Sequence, residues 1–444
     1  MYRYTAFAFA PLLYAIPLLN AQSMAGMDMS KPMAQPTTLT TNILQHISSG
    51  TSIEPASTPM SMLMSQHSGW TLMLHGTAFI ADIQQQANSE RGKDRLFSTN
   101  MIMPMAQHKL GPGTLMLRTM LSLEPATITG RYYPELFQQG ETAYNQPIRD
   151  GQHPHDFVME LGALYDVPLG EHTLLSLYAA PVGDPAIGPT AYPHRLSASE
   201  DPIAALGHHQ EDSTHIAFNV LTAGLTYKTV RIETSGFHGA EPTEARWHLQ
   251  PSPNGVTPDS YSGRITWAPA ANLSAQYSIA HLTGPESLVP QDDETRQTAS
   301  VMYNRPIGAH ADTTSMPGMT MSTPAIGNWA TTLLWGQAKA LPSNVIGNSW
   351  LLESLLTVRR NSYWARIEVA ARTSELLNPS PPVETLVGHV QAYTLGYDRA
   401  YRVAPYLEAA PGVQFTQYRT PDALTPTYGR APFSVVMFVR LRLK

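Results

Sequence analysis

From Trp70 to the C-terminus, apolar and polar residues alternate with a period of two, in stretches of roughly ten residues set apart by turn-forming residues. Over Trp70–Ile83, Leu72, Leu74, Ala78 and Ile80 share one face, and Thr71, His75 and Thr77 the other. Over Thr114–Glu124, Leu115, Leu117, Leu121 and Leu123 oppose Arg118, Ser122 and Glu124. The same pattern recurs at Phe97–Gln107, Phe157–Val167, Leu174–Ala180, His215–Thr226, Thr229–Phe237, Ser260–Trp267 and Leu273–Leu282. It continues at Thr295–Asn304, Asn328–Gln337, Ser349–Arg359, Tyr363–Arg372, Leu386–Tyr397, Val403–Gln417 and Phe433–Leu443. About sixteen strands result, each long enough to cross a bilayer at a tilt.

The connections alternate in length. Short turns fall near Leu110, Gly170, Lys228, Ala270, Asn361 and Arg402, and long ones over 126–155, 182–213, 238–258, 284–293, 374–385 and 419–431. Short periplasmic turns against long external loops mark an outer-membrane barrel. The pattern predicts an all-β, transmembrane, antiparallel up-and-down barrel, its long loops folding partly inward and both termini in the periplasm. One connection, residues 306–327, breaks the alternation by being long on the periplasmic side.

The polar faces carry charge. Arg118, Glu160, Arg231, Glu233, Arg264, Arg296, Glu353, Arg366, Glu368, Arg372, Glu408 and Arg440 all oppose the apolar stripe, as do Glu124 and Arg442. An unpaired Arg facing lipid at the midplane costs about 2–4 kcal/mol, so these residues are expected to line the lumen as an ion-pair lattice. Trp70, Trp267, Tyr261, Tyr303 and Tyr363 near strand ends read as interfacial aromatics.

Composition narrows the class. The 444 residues include no cysteine, and Lys plus Arg total 28 against 34 acids, which argues against a nucleic-acid surface. Residues 1–21 read as a signal peptide, with Arg3, an apolar run from Ala6 to Leu19 and a cleavage site at Leu19-Asn20-Ala21. Residues 22–69 lack a sustained period and are expected to be a flexible periplasmic segment ahead of a barrel at 70–444. That segment carries Met24, Met27, Met29 and Met33, then Met60, Met62 and Met64, and the long periplasmic connection carries Met316, Met319 and Met321. Thioether sulfur selects soft ions such as Cu(I), and both clusters face one compartment on this topology.

The densest candidate chemistry is histidine. His153, His155 and Asp156 precede one strand, and His208, His209, Asp212 and His215 precede another. Imidazole with carboxylate suits a divalent metal; equally, these groups hydrogen-bond to one another and fold the loops into a constriction. A Ser213–His215–Asp212 hydrolase is disfavoured, because residues 212 and 213 point opposite ways on a strand, and no metalloprotease or nucleotide-binding motif occurs. An enzyme is not expected.

Gln152-His153-Pro154-His155-Asp156, Pro193-His194-Arg195, the run His208–Ile216, Phe237–Pro242 and Asp259–Arg264 together resemble a family of bacterial outer-membrane β-barrel proteins found beside copper and heavy-metal resistance functions. The resemblance covers residues 130–305 strongly and the rest more loosely. It implies a barrel in the outer membrane and a metal context, with no ligand set. The expected function is metal handling or efflux, most directly of copper, with a periplasmic metal chaperone as a partner. The alternative is a general or solute-specific porin whose His-rich loops are structural.

Overall fold

A computed structural model describes residues 38–444 except 46–47, 89–90, 144–145, 213–216, 242–244, 250–256, 287–288, 309, 313–320, 324, 342 and 379–383. The expected signal peptide, Met24, Met27, Met29, Met33, Met316, Met319 and His215 therefore lie outside the described residues. Met321 begins a short strand whose backbone pairs with Asp312.

Sixteen antiparallel strands close into a barrel. They are β1 (Trp70–Gln86), β2 (Arg95–Leu110), β3 (Gly113–Leu121), β4 (Val158–Pro168), β5 (Thr173–Gly183), β6 (Ala217–Tyr227), β7 (Val230–His238) and β8 (Ser260–Ala270). β9 (Leu273–Leu282), β10 (Asp293–Ile307), β11 (Gly327–Leu341), β12 (Ile346–Val358), β13 (Asn361–Thr373), β14 (Leu386–Arg399), β15 (Leu407–Arg419) and β16 (Phe433–Leu443) complete the wall. Thr77–Gln86 of β1 pair with Phe433–Arg442 of β16, so the last strand returns to the first. The start of β1 is covered instead by an arm, Leu63–His67, in register from Leu63–Leu74 to His67–Trp70. A closed wall satisfies its backbone groups within itself, which a bilayer requires. Among the described residues no helix is long and apolar enough to cross a membrane.

The period of two explains the two surfaces. Leu177, Leu221, Ile232, Ile265, Ile279, Leu333, Leu352 and Leu395 point outward and are exposed, ready for lipid. Their neighbours Ser176, Thr222, Ser235, Arg264, Ser278, Thr332 and Glu353 point inward and are buried. Hydroxyl pairs tie adjacent strands on the inner face, as between Thr222 and Ser235 (2.7 Å), Ser278 and Thr298 (2.8 Å), and Thr394 and Thr416 (2.9 Å). Tyr261, Trp267 and Tyr363 stand exposed near strand ends, while Trp70 and Tyr303 are half-buried, Trp70 against His108 and Tyr303 against Trp329.

Three local departures have physical causes. The strand expected to reach Glu124 stops at Leu121, and Glu124–Thr127 form a helical turn with Pro125 in its first positions. The strand expected over Val403–Gln417 is broken at Pro405 and Tyr406, which form the turn of a short periplasmic hairpin, Tyr401–Ala404 against β15. Residues 48–67, expected as part of a flexible segment, are instead fixed to the barrel. The arm pairs with β1, and residues 48–53 are buried.

A charge on the outer face should be costly where the same charge inside is not. Ile265→Arg, at the middle of β8, is expected to lower folding stability in lipid vesicles by about 2–4 kcal/mol in urea titrations. An unchanged midpoint would mean that this face does not meet lipid.

Candidate functional site

The inner wall is organised around buried arginines, most of them paired with an acid and several reaching further to a backbone carbonyl or hydroxyl. Arg118 (β3) holds Glu160 (β4) through two bonds, Nε–Oε2 at 2.9 Å and Nη2–Oε1 at 2.8 Å. Its remaining donors reach the carbonyls of Ser48 and Gly50 at 2.5 and 2.6 Å. Glu160 also accepts from the Tyr178 hydroxyl at 2.7 Å and from the Gly50 amide at 3.2 Å. Arg264 (β8) bonds Glu233 (β7) at 2.9 Å and donates to Thr51 Oγ1 at 2.8 Å and to the Gly188 carbonyl at 3.0 Å. Arg231 shares Glu233 at 3.0 Å. Guanidinium offers five donors, so an acid on the wall leaves some over for a third party.

That third party is first the N-terminal segment. A short helix, α1 (Leu39–Leu44), packs Leu39 and Ile43 with Ile53 and Leu174 at the periplasmic end. The chain then rises to Gly50 and returns to Ser57, whose amide and hydroxyl bond the Ala271 and Asn304 carbonyls. At the tip Gly50 has φ +56°, and a Cβ there would lie 2.5 Å from Asp184 Cβ. Only glycine fits both the left-handed turn and the close approach. Ser49 donates to Asp184 Oδ2 at 2.9 Å.

The other third party is the loop 184–212, which crosses the whole lumen. It leaves β5 at Asp184, and its amides at Ala186 and Gly188 donate to Ser235 and Ser278, both at 2.8 Å. On the far side Arg195 bridges Asp212 and Glu353 of β12, both at 2.5 Å, with none of its surface exposed. Ser197 meets Thr332 of β11 at 2.7 Å. Glu200 pairs with Arg440 and Arg442 of β16, and Asp201 with Arg366 of β13 at 3.0 Å. Arg366 also donates to the Ile203 and Ala204 carbonyls, and Arg372 to that of Leu206. Burial opposes the charge of Glu200, yet the two arginines hold its carboxyl below the usual carboxylate range.

Arg118, Glu160, Arg231, Glu233, Arg264, Arg296, Glu353, Arg366, Glu368, Arg372 and Arg440 are all buried. Glu408 is half-buried near the periplasmic end, 2.5 Å from Lys444. Arg296 pairs with Glu294 at 2.7 Å and Arg366 also with Glu368 at 3.0 Å.

The histidine runs meet above the loop. His153, His155, His208 and His209 line one cavity of about 150 Å³ at the outer side, together with Glu241 and Glu286. His155 donates its amide to Glu124 at 2.9 Å, with Nδ1 at 2.8 Å from the same carboxylate. His208 Nδ1 lies 2.8 Å from Asp212, and His153 Nδ1 lies 3.2 Å from the Thr142 carbonyl. Rings of His155, Tyr192, His208 and His209 follow one another at centroid distances of 6.4, 5.1 and 5.0 Å. Asp156 pairs with Arg246 at 2.9 Å, and Asp212 holds Arg195 with one oxygen and His208 with the other, so the two aspartates serve ion pairs beside the cavity. Among the described residues no three His, Asp or Glu side chains are placed to hold a metal ion together.

The pattern Met101-Ile102-Met103-Pro104-Met105 announces a different wall, which the strand reading above passes over. Met73 of β1, Met101, Met103 and Met105 of β2, Met116 and Met120 of β3 and Met159 of β4 form one buried cluster, with Met62 and Met64 packed against it. Methionines spaced by two on one strand share a face, and here that face is the inner one.

No protein-family model matches the sequence, and no curated protein matches it. Solved structures do match in fold. Salmonella typhi OmpF, in complex with daunomycin, aligns with a TM-score of 0.50 at 7% identity over 85% of this chain and 100% of its own. OprB of Pseudomonas putida aligns at 0.50 and 9% over 84% and 94%. A mutant porin of Rh. blastica aligns at 0.40 and 11% over 84% and 99%. The architecture is that of a porin-like barrel of the bacterial outer membrane.

The contact at Gly50 should respond to pH. Burial, above all, pushes the Asp184 carboxyl up to about 7, against the pull of Ser49 and Arg264. Below its ordinary range the group is protonated whether or not residues 48–53 are docked, and docking carries no penalty. As pH rises from the ordinary carboxylate range toward 7 the undocked carboxyl ionises first, so docking weakens. Conductance across planar bilayers is expected to rise between about pH 4 and 7 and to flatten in Asp184→Asn. A rise that persists in Asp184→Asn would assign it to another group.

Proposed function

We propose that this protein is a gated outer-membrane passage for small solutes, closed in the arrangement described by residues 38–62 from the periplasmic side and by the loop 184–212 at mid-lumen. The observation that carries this reading is the double use of Arg264, which joins Thr51 of the one segment and Gly188 of the other to the same wall acid, Glu233. A porin-like wall without such insertions would expose its arginines to water in a pore. Here they are buried under two pieces of chain. Hydrogen bonds and ion pairs hold the two insertions to the wall arginines; such bonds exchange with water at modest net cost and so suit a reversible gate.

The narrower reading is a metal cargo, copper above all, handed on at the periplasmic face by a chaperone. Its support is the run of methionines on β1–β4, since a passage for sugars or salts has no need of thioethers.

The test is electrical. Full-length protein in planar bilayers is expected to stay closed for most of the time. Gly50→Val, which cannot occupy its turn, and deletion of residues 38–62 are both expected to raise the time-averaged conductance by about tenfold or more. Equal, steady conductance in the parent and both variants would contradict a gate and favour an open porin.

A further inference from the structure

Four side chains stand together where the methionine wall meets the inserted loop. His75 of β1 is directly opposite Met103 of β2. The β2–β3 register, which pairs Ile102 with Leu121 and Met105 with Arg118, sets Met103 against Met120. His75, Met103 and Met120 thus occupy one rung across three strands, whose spacing of about 5 Å brings side chains on one face into contact. His194 descends from the loop, its Nε2 3.0 Å from Met120 Sδ, its ring centroid 6.0 Å from that of His75. Met103 and Met120 are almost fully buried, whereas the two histidines are half-buried and face the lumen.

We propose that Met103, Met120, His194 and His75 form a binding site for a soft monovalent cation of the Cu(I) or Ag(I) class. This deepens the passage reading, on which it rests, by naming its cargo. Two thioethers and one or two neutral imidazoles are ligands that soft d10 ions accept at low coordination number, and hard ions such as Mg(II) or Ca(II) reject. Filling the wall with apolar bulk would be met by Leu or Ile; a ring nitrogen aimed at a buried sulfur is not explained by bulk. Methionine is also the side chain best able to move a sulfur by rotation, which lets the site close on an ion.

The site differs from the histidines of the outer cavity, whose Nδ1 atoms at His155 and His208 face Glu124 and Asp212. It lies on the path between them and the arm, where Met64 pairs with Met73 and Met73 with Met105. A soft ion leaving the site toward the periplasm therefore meets thioethers at each rung.

The test uses full-length, detergent-folded protein in which Met24, Met27, Met29, Met33, Met316, Met319 and Met321 are changed to Leu, so that the tail and the periplasmic connection contribute no sulfur. Silver(I), which needs no reductant, is titrated at equilibrium, and the bound metal is examined by X-ray absorption. The site predicts stoichiometric Ag(I) with sulfur and nitrogen neighbours. Met103→Leu with Met120→Leu is expected to weaken binding at least ~10-fold, and His194→Phe to remove nitrogen from the absorption spectrum. No retained silver, or equal affinity and an unchanged spectrum in these variants, would overturn the proposal. Binding in detergent requires no opening, so an empty site and a failed gate are separate results.

Discussion

A buried guanidinium must be both paired and fully hydrogen-bonded, and this single demand shapes the inside of the barrel. Leaving one uncompensated costs about 3–5 kcal/mol, so a wall that carries seven buried arginines draws partners from both the wall and the inserted chain. Acids on the same or nearby strands supply the charge: Glu160 for Arg118, Glu233 for Arg231 and Arg264, Glu368 for Arg366, and Asp398 for Arg440. Carbonyls of the inserted chain supply much of the rest, from Ser48, Gly50, Gly188, Ile203, Ala204 and Leu206. The wall and the insertions are therefore one structure rather than a pore with an object in it.

The same arrangement explains why so much of the closure is polar, beside smaller apolar contacts such as Ala205 with Leu334 and Leu351. Hydrogen bonds to backbone are individually weak in net terms and can be returned to water. Glycine at position 50 concentrates that reversibility at one turn, with Asp184 beneath it as the group whose ionisation bears most directly on the contact.

Much of this was legible in the chain. Alternation over stretches such as Leu273–Leu282 identifies strand, face and side chain direction together, because the pleat leaves no other way to place Ser274, Gln276 and Ser278 opposite Ala275, Tyr277 and Ile279. The inward charges follow from the same parity. What parity cannot reveal is how the non-periodic segments use those charges. Residues 48–57 read as flexible because Ser, Gly, Thr and Pro carry no period, yet their backbone carbonyls are what Arg118 requires. The Glu124 strand end failed at Pro125, and the strand through residue 405 failed at a proline as well. His153, His155, His208 and His209 of the two His-rich runs line one cavity, while Asp156 and Asp212 are held by Arg246 and Arg195, pairings that spacing does not reveal. The inner methionines carry a visible period of two and were hidden only by counting as strand hydrophobics.

The central claim is that residues 48–53 are sealed inside the wall by Arg118 and Arg264. Because the chain has no cysteine, it can be measured directly with one introduced at Ser52, a buried position, and one at Ser343, an exposed turn residue between β11 and β12. A small, membrane-impermeant thiol reagent is applied to each in vesicles. The account predicts rapid labelling at position 343 and labelling at position 52 slower by about a hundredfold or more, restored by Arg118→Ala together with Arg264→Ala. Equal labelling at both positions in the otherwise unaltered protein would contradict it.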